Sequence, residues 1–144
     1  YHDAVDQQVK RLLKLGPPPA FIAIHSFSPV MNGEARPWEM GVLWDTDTRL
    51  RDIFLDDLSA AGFLVGDNEP YSGKAPQDFT IDHHAEEVGL PHLGLEVRQD
   101  LIDDEVGVDR IASVLHDIIE SIPKRLEDMG VGAYDKRTGI HDRG

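Results

Sequence analysis

The side chains of this chain that can do chemistry are histidines, carboxylates and arginines, because its 144 residues include no cysteine. That removes disulfides, thiolate nucleophiles and Cys-based zinc sites together, and leaves His, Asp and Glu as metal ligands. His25 stands where the apolar run Ala20 to Ile24 gives way to a polar segment, a position that aims an imidazole at the mouth of a sheet. There it can ligate zinc or move a proton near neutral pH, or it can be an ordinary hydrogen-bonded histidine. Glu96 lies in Leu93-Gly-Leu-Glu-Val-Arg98. The two-residue period of a strand puts Leu95 and Val97 on one face and Glu96 with Arg98 on the other. Taking an ionised carboxylate out of water costs several kcal/mol unless it is paired or bound to metal. Two readings remain open: a self-contained ion pair at a sheet edge, or a general base beside an anion-binding arginine.

Further candidates are less distinctive. Gly66-Asp-Asn-Glu-Pro-Tyr-Ser-Gly73 carries donors and acceptors behind a strand, and an ordinary turn accounts for most of them; Asn68 and Tyr71 exceed what a turn requires. Arg36, in Arg36-Pro-Trp38, can hold a carboxylate in bidentate fashion or stack on Trp38. His83-His84-Ala-Glu86-Glu87 offers two His-x-x-Glu pairs that one helical turn can aim at a metal, although an acidic chain produces such spacings by chance. His92, His2, His116 and His141 have no motif, and solvent or packing is their default. No dinucleotide fingerprint, P-loop, serine elbow or EF-hand loop occurs.

The elements that must position these groups follow from periodicity. Val5, Val9, Leu12 and Leu13 predict a helix from Asp3 to Leu15, stopped by Gly16 and the prolines at 17 to 19. Ala20 to Ile24 predicts a buried strand ending at His25, and Ser26 to Glu39 a long irregular loop. Met40 to Trp44 is strand-like. Asp45-Thr-Asp-Thr48 can cap a helix carrying Leu50, Ile53, Phe54, Leu58 and Ala61 and ending at Gly62. Phe63 to Val65 and Leu93 to Val97 are strand candidates, and Thr80 to Val88 is a short helix or a turn. A last helix from Asp104 to Ile122 presents Val108, Ile111, Leu115, Ile118 and Ile122 on one face. Apolar strands alternating with amphipathic helices imply an α/β fold, a mostly parallel or mixed sheet flanked by helices. Ligands then collect beyond the carboxyl ends of the strands. Residues 1–124 read as part of one domain and 125–144 as a charged, mobile tail.

Fourteen Lys and Arg against 27 Asp and Glu give a formal charge of −13. Nucleic-acid backbones and anionic membranes repel such a chain, and no run approaches the roughly 20 apolar residues of a membrane span. Neither partner is expected. Cytoplasmic placement is the default.

Read together, Ile24-His-Ser-Phe-Ser-Pro29, Arg36-Pro-Trp-Glu-Met-Gly-Val-Leu-Trp-Asp45, Gly66-Asp-Asn-Glu-Pro-Tyr-Ser72 and Gly89-Leu-Pro-His-Leu-Gly-Leu-Glu-Val-Arg-Gln-Asp-Leu-Ile102 resemble the N-formylglutamate amidohydrolase family. Four blocks in order, across Tyr1 to Ile122, are more specific than any one of them. The resemblance implies a zinc carboxypeptidase-type α/β fold, here without its amino-terminal part. It also implies a zinc-dependent hydrolase that splits N-formylglutamate to formate and glutamate in histidine degradation. By that likeness His25 is a metal ligand and Glu96 the general base. Arg36 and Arg98 take substrate carboxylates, and Asn68, Tyr71 and His84 wall the pocket. A catalytic zinc keeps three protein ligands plus water, so the remaining ligands are expected outside this chain. The alternative is a binding domain or pseudoenzyme that keeps a small-anion pocket without the metal.

Overall fold

The computed structural model describes residues 1–74, 81, 84–85, 88–130, 134–135 and 140–141. Helix α1 (His2–Leu13) leads into β1 (Phe21–Phe27), the short pair β2 (Val30–Met31) and β3 (Glu34–Ala35), and β4 (Met40–Leu43). Then come α2 (Arg49–Ala60), β5 (Val65–Asp67), β6 (His92–Arg98), a 3-10 turn at Gln99–Ile102 and α3 (Glu105–Asp128), with β7 (Tyr134–Asp135) and β8 (Ile140–His141) pairing at the end. The main sheet has the order β1-β6-β4-β5. β1 runs parallel to β6 and β4 parallel to β5, while β4 and β6 are antiparallel, so the sheet is mixed.

Alternation on β6 divides the molecule. Leu93, Leu95 and Val97, with Met40 and Val42 from β4, face α2 (Leu50, Ile53, Phe54, Leu58) and α3 (Ile111, Leu115, Ile118, Ile122, Leu126) in one continuous core. Burying each such side chain contributes roughly 1.5–3 kcal/mol. Against the other face, Val9 of α1 packs with Ala85 and Leu90, flanked by Phe21 and Val88. The result is helices on both faces of a mixed sheet, the α/β class the alternation implies. No helix among the described residues is long and apolar enough to cross a membrane.

Several boundaries differ from the sequence reading, α1 among them, which ends at Leu13 and not at Leu15. β1 runs two residues past His25, because parallel pairing with Val97 and Arg98 holds Ser26 and Phe27 extended. The expected loop contains the β2–β3 hairpin, turned by Asn32 (φ 53) and Gly33 (φ 81); an Asn-Gly pair with both φ positive is the preferred two-residue hairpin connection. Phe63 closes α2, its N–H reaching the Leu58 carbonyl at 3.2 Å, so β5 starts only at Val65. α3 continues to Asp128 through Pro123, so a boundary after residue 124 falls inside a helix. Leu126 is buried in the core and Arg125 Nη1 bonds Asp57 Oδ2 at 2.5 Å; those contacts offset the hydrogen bond Pro123 cannot donate. Much of the expected tail, and of the Thr80 to Val88 segment with His83, Glu86 and Glu87, lies outside the described residues.

Candidate functional site

Parallel pairing of β1 with β6 sets His25 level with Glu96. Their side chains share one sheet face, with His25 Nδ1 3.6 Å from Glu96 Oε1. The separation is too long for a direct hydrogen bond and suits two groups addressing one small species between them. Exposure is sharply unequal: the imidazole side chain is 51% exposed and the carboxylate 6%. One partner therefore meets solvent while the other sits beneath it. β6 lies inside the sheet, between β1 and β4, so the reading of Glu96 with Arg98 as an edge ion pair does not hold.

The wall beside Glu96 is made by an absence of side chains. Gly41 pairs with Glu96 across β4 and β6, and Gly66 pairs with Gly41 across β4 and β5. The Glu69–Pro70 backbone folds down onto both. A Cβ at either glycine would collide with the Glu69 carbonyl oxygen, and one at Gly66 would also come within 2.7 Å of Glu69 Cβ. Asn68 shapes this loop. Its φ is 56, and its Oδ1 accepts the N–H groups of Trp44 (2.9 Å) and Gly73 (3.1 Å). Next to it, Asp67 is held below the usual carboxylate range by the Arg51 hydrogen bond (2.7 Å), against the effect of burial and with help from Trp44 Nε1 (2.5 Å).

The loop delivers Tyr71 to Arg36, whose guanidinium lies 5.0 Å from the Tyr71 ring centroid and 5.8 Å from that of Phe27. Phe27 follows His25 by two residues, on the same strand face. Arg36 Nη1 also donates to Ser28 O at 3.3 Å, and Nη2 approaches Met31 Sδ. The structure thus brings His25 to Glu96, and brings Arg36 to Tyr71 and to Phe27, two residues along β1 from His25. Sequence reasoning missed Phe27, Gly41 and Gly66. The paired glycines in otherwise apolar strand runs were the available signal, since a strand glycine marks close backbone approach.

Arg98 and His84 are engaged with partners of their own. Arg98 donates Nε and Nη2 to Asp100 (2.7 and 3.1 Å) and Nη1 to the carbonyls of Arg36, Pro37 and Trp38. Its guanidinium is committed within the protein, and the Asp100 hydrogen bond raises its pKa. His84 is buried against α1, its Nδ1 2.8 Å from Asp6 Oδ1 and its Nε2 3.0 Å from His2 Nδ1. The ring centroids of His84 and His2 are 5.3 Å apart, which is that N···N distance plus one ring radius on each side. The two imidazoles therefore meet edge to edge through a linear hydrogen bond rather than face to face. This chain neighbours Phe21, the first residue of β1, while His25 lies towards the strand's other end. His92, read as default packing, is buried with Nδ1 2.7 Å from Leu90 O.

The profile of the N-formylglutamate amidohydrolase family matches residues 1–103. The chain belongs to this family. No curated protein matches it. Among solved structures it is similar to gene product Atu2144 from Agrobacterium tumefaciens, with 33% identity and a TM-score of 0.79 over 90% of this chain. The alignment covers 50% of that protein, so the chain spans half its length.

The zinc implied by resemblance to N-formylglutamate amidohydrolases can be tested against the donors present. Among the described residues no three His, Asp or Glu side chains converge as a metal site. His25 offers one imidazole nitrogen and Glu96 one carboxylate, spaced so that an ion, or water on an ion, can reach both. Both are donor types that zinc accepts. The set fits part of a zinc site, and a complete one requires ligands from beyond these residues.

Proposed function

We propose that this chain carries the proton-transfer and substrate-anchoring part of an amidohydrolase site that cleaves N-acyl amino acids such as N-formylglutamate. The observation that supports it is the 3.6 Å approach of a half-exposed imidazole to a carboxylate buried under the same strand end. An unactivated amide needs water made nucleophilic near pH 7 and its developing oxyanion stabilised. Zinc, when bound, supplies both, lowering the pKa of its water toward about 7 and polarising the carbonyl.

The chain's own residues divide the remaining work. His25 contributes one ring nitrogen as a metal ligand. Glu96 takes a proton from the attacking water as its oxygen bonds to the acyl carbon, and passes that proton to the amide nitrogen as the C–N bond breaks. Formate and the free amino acid leave. Glu96 lies beneath the half-exposed imidazole, with its carboxylate held away from bulk water. Arg36 takes the substrate carboxylate in bidentate fashion, with Tyr71 and the Asn68 turn walling that side. Positioning of this kind brings the carbonyl to the water and contributes to rate. His84, buried against α1, is not assigned to this pocket.

The test is formate release from N-formyl-L-glutamate by the full-length protein. Glu96→Gln is expected to lower kcat by about 10²–10⁴-fold with zinc content unchanged. Equal turnover by Glu96→Gln refutes the base assignment. Tight binding of N-formylglutamate by metal-free protein, with no hydrolysis on adding zinc, would favour a binding-only domain instead.

A further inference from the structure

We propose that Arg98 is a positioning residue for substrate recognition, fixing the Arg36–Trp38 segment, and through it the Arg36 guanidinium, to the strand that bears Glu96. The inference rests on the reading above, in which Arg36 receives the substrate carboxylate. Arg98 follows Glu96 by two residues on the same face of β6. Its planar fork is shared between two tasks. Nε and Nη2 grip the two Asp100 oxygens at 2.7 and 3.1 Å, which fixes the plane and direction of the guanidinium. Nη1 then points at three successive carbonyls, those of Arg36 (3.4 Å), Pro37 (3.1 Å) and Trp38 (3.2 Å). The Arg98 backbone N–H adds a bond to Glu39 O at 3.0 Å.

The other end of the segment is tied to the continuation of β1. Arg36 N–H donates to Pro29 O at 2.8 Å, and its Nη1 to Ser28 O. Arg36 is thus suspended between the two strands that carry His25 and Glu96, so the substrate anchor and the two reacting groups share one frame. Lysine cannot replace arginine here. A single ammonium lacks the planar fork that holds a carboxylate on one edge and backbone carbonyls on another. Asp100 becomes part of the device, and Asp100→Asn should weaken it in the same direction by leaving the fork unaimed.

The experiment uses the full-length protein as wild type, Arg98→Lys, Asp100→Asn, Arg36→Ala and the Arg36→Ala/Arg98→Lys double variant. Hydrogen exchange, which needs no turnover, should show the Arg36 and Trp38 amides opening about tenfold faster in Arg98→Lys with β6 protection unchanged. With N-formyl-L-glutamate, Arg98→Lys should raise KM about tenfold and leave kcat within about threefold, the mark of lost substrate binding. In the Arg36→Ala background, Arg98→Lys should change KM by less than about twofold, because coupled residues are non-additive. Unchanged exchange at 36–38, a loss in kcat alone, or fully multiplicative effects would overturn the positioning role while leaving Arg36 as the anchor. An unchanged KM in Arg36→Ala identifies a different failure, that of the anchor itself, and overturns the positioning role with it.

Discussion

Gly41→Ala tests how the wall beside Glu96 is built. The added Cβ collides with the Glu69 carbonyl oxygen and comes within 3.2 Å of Pro70 Cδ. Neither obstacle is the free end of a flexible side chain, so the 69–70 backbone must lift away from the sheet. Overpacking of this kind costs about 1–3 kcal/mol. With about 2–4 °C of Tm per kcal/mol for a protein of 150–250 residues, the melting temperature should fall by roughly 2–12 °C. Gly16→Ala is the control, because nothing lies within 4 Å of its would-be Cβ; it should stay within about 0.5 kcal/mol of wild type. The assay is thermal and urea unfolding of the full-length protein, with Tyr71 and Trp44 fluorescence reporting local displacement of the loop. Equal melting temperatures for the Gly41 and Gly66 alanine variants and the Gly16 control would refute the close packing described, and with it the route by which Tyr71 reaches Arg36.

Two further outcomes follow from the packing. Burial pushes the Asp47 carboxyl up, but the hydrogen bonds and charge of Arg49, with a contribution from His92, outweigh it and leave the pKa lowered. A group depressed on folding contributes stability that is present above the unfolded value of about 3.9 and lost as pH falls through the folded value. Asp47→Asn should therefore cost about 1–3 kcal/mol near neutrality, with the gap from wild type closing below about pH 4 in urea melts run across pH. Leu126→Ala, near the end of α3, should cost about 2–4 kcal/mol as a core truncation; a change under about 0.5 kcal/mol would instead mark that end of the helix as surface.

The sheet and its helices were legible because apolar runs and helical stripes are local properties. Although β1 runs on to Phe27, His25 could be placed near a strand end from its neighbours alone. Its partner could not, because register between β1 and β6 is set by three-dimensional pairing, and only that pairing makes His25 and Glu96 neighbours. Alternation put Arg98 on the Glu96 face but said nothing of Asp100, which turns towards it across the junction of β6 with the 3-10 turn. The Asn32-Gly33 signal was present and was outweighed by the surrounding prolines and polar residues. The apolar stripe was read only as far as Ile122, and packing of Leu126 carries the helix on to Asp128. His84 looked like half of a metal pair within its own segment, whereas its described hydrogen bonds reach His2 and Asp6 on α1. In the cases of Glu96, Asp100 and His84 the deciding contact is one the local sequence pattern does not show.

In the proposed site His25 and Glu96 address one shared, ion-bound water. Anomalous diffraction at the zinc edge from crystals of the full-length protein tests it most directly. A zinc peak is expected at about 2.0–2.1 Å from a His25 ring nitrogen, with its water within hydrogen-bond reach of Glu96. A zinc peak bonded to other residues, with His25 and Glu96 both turned away from it, would contradict it.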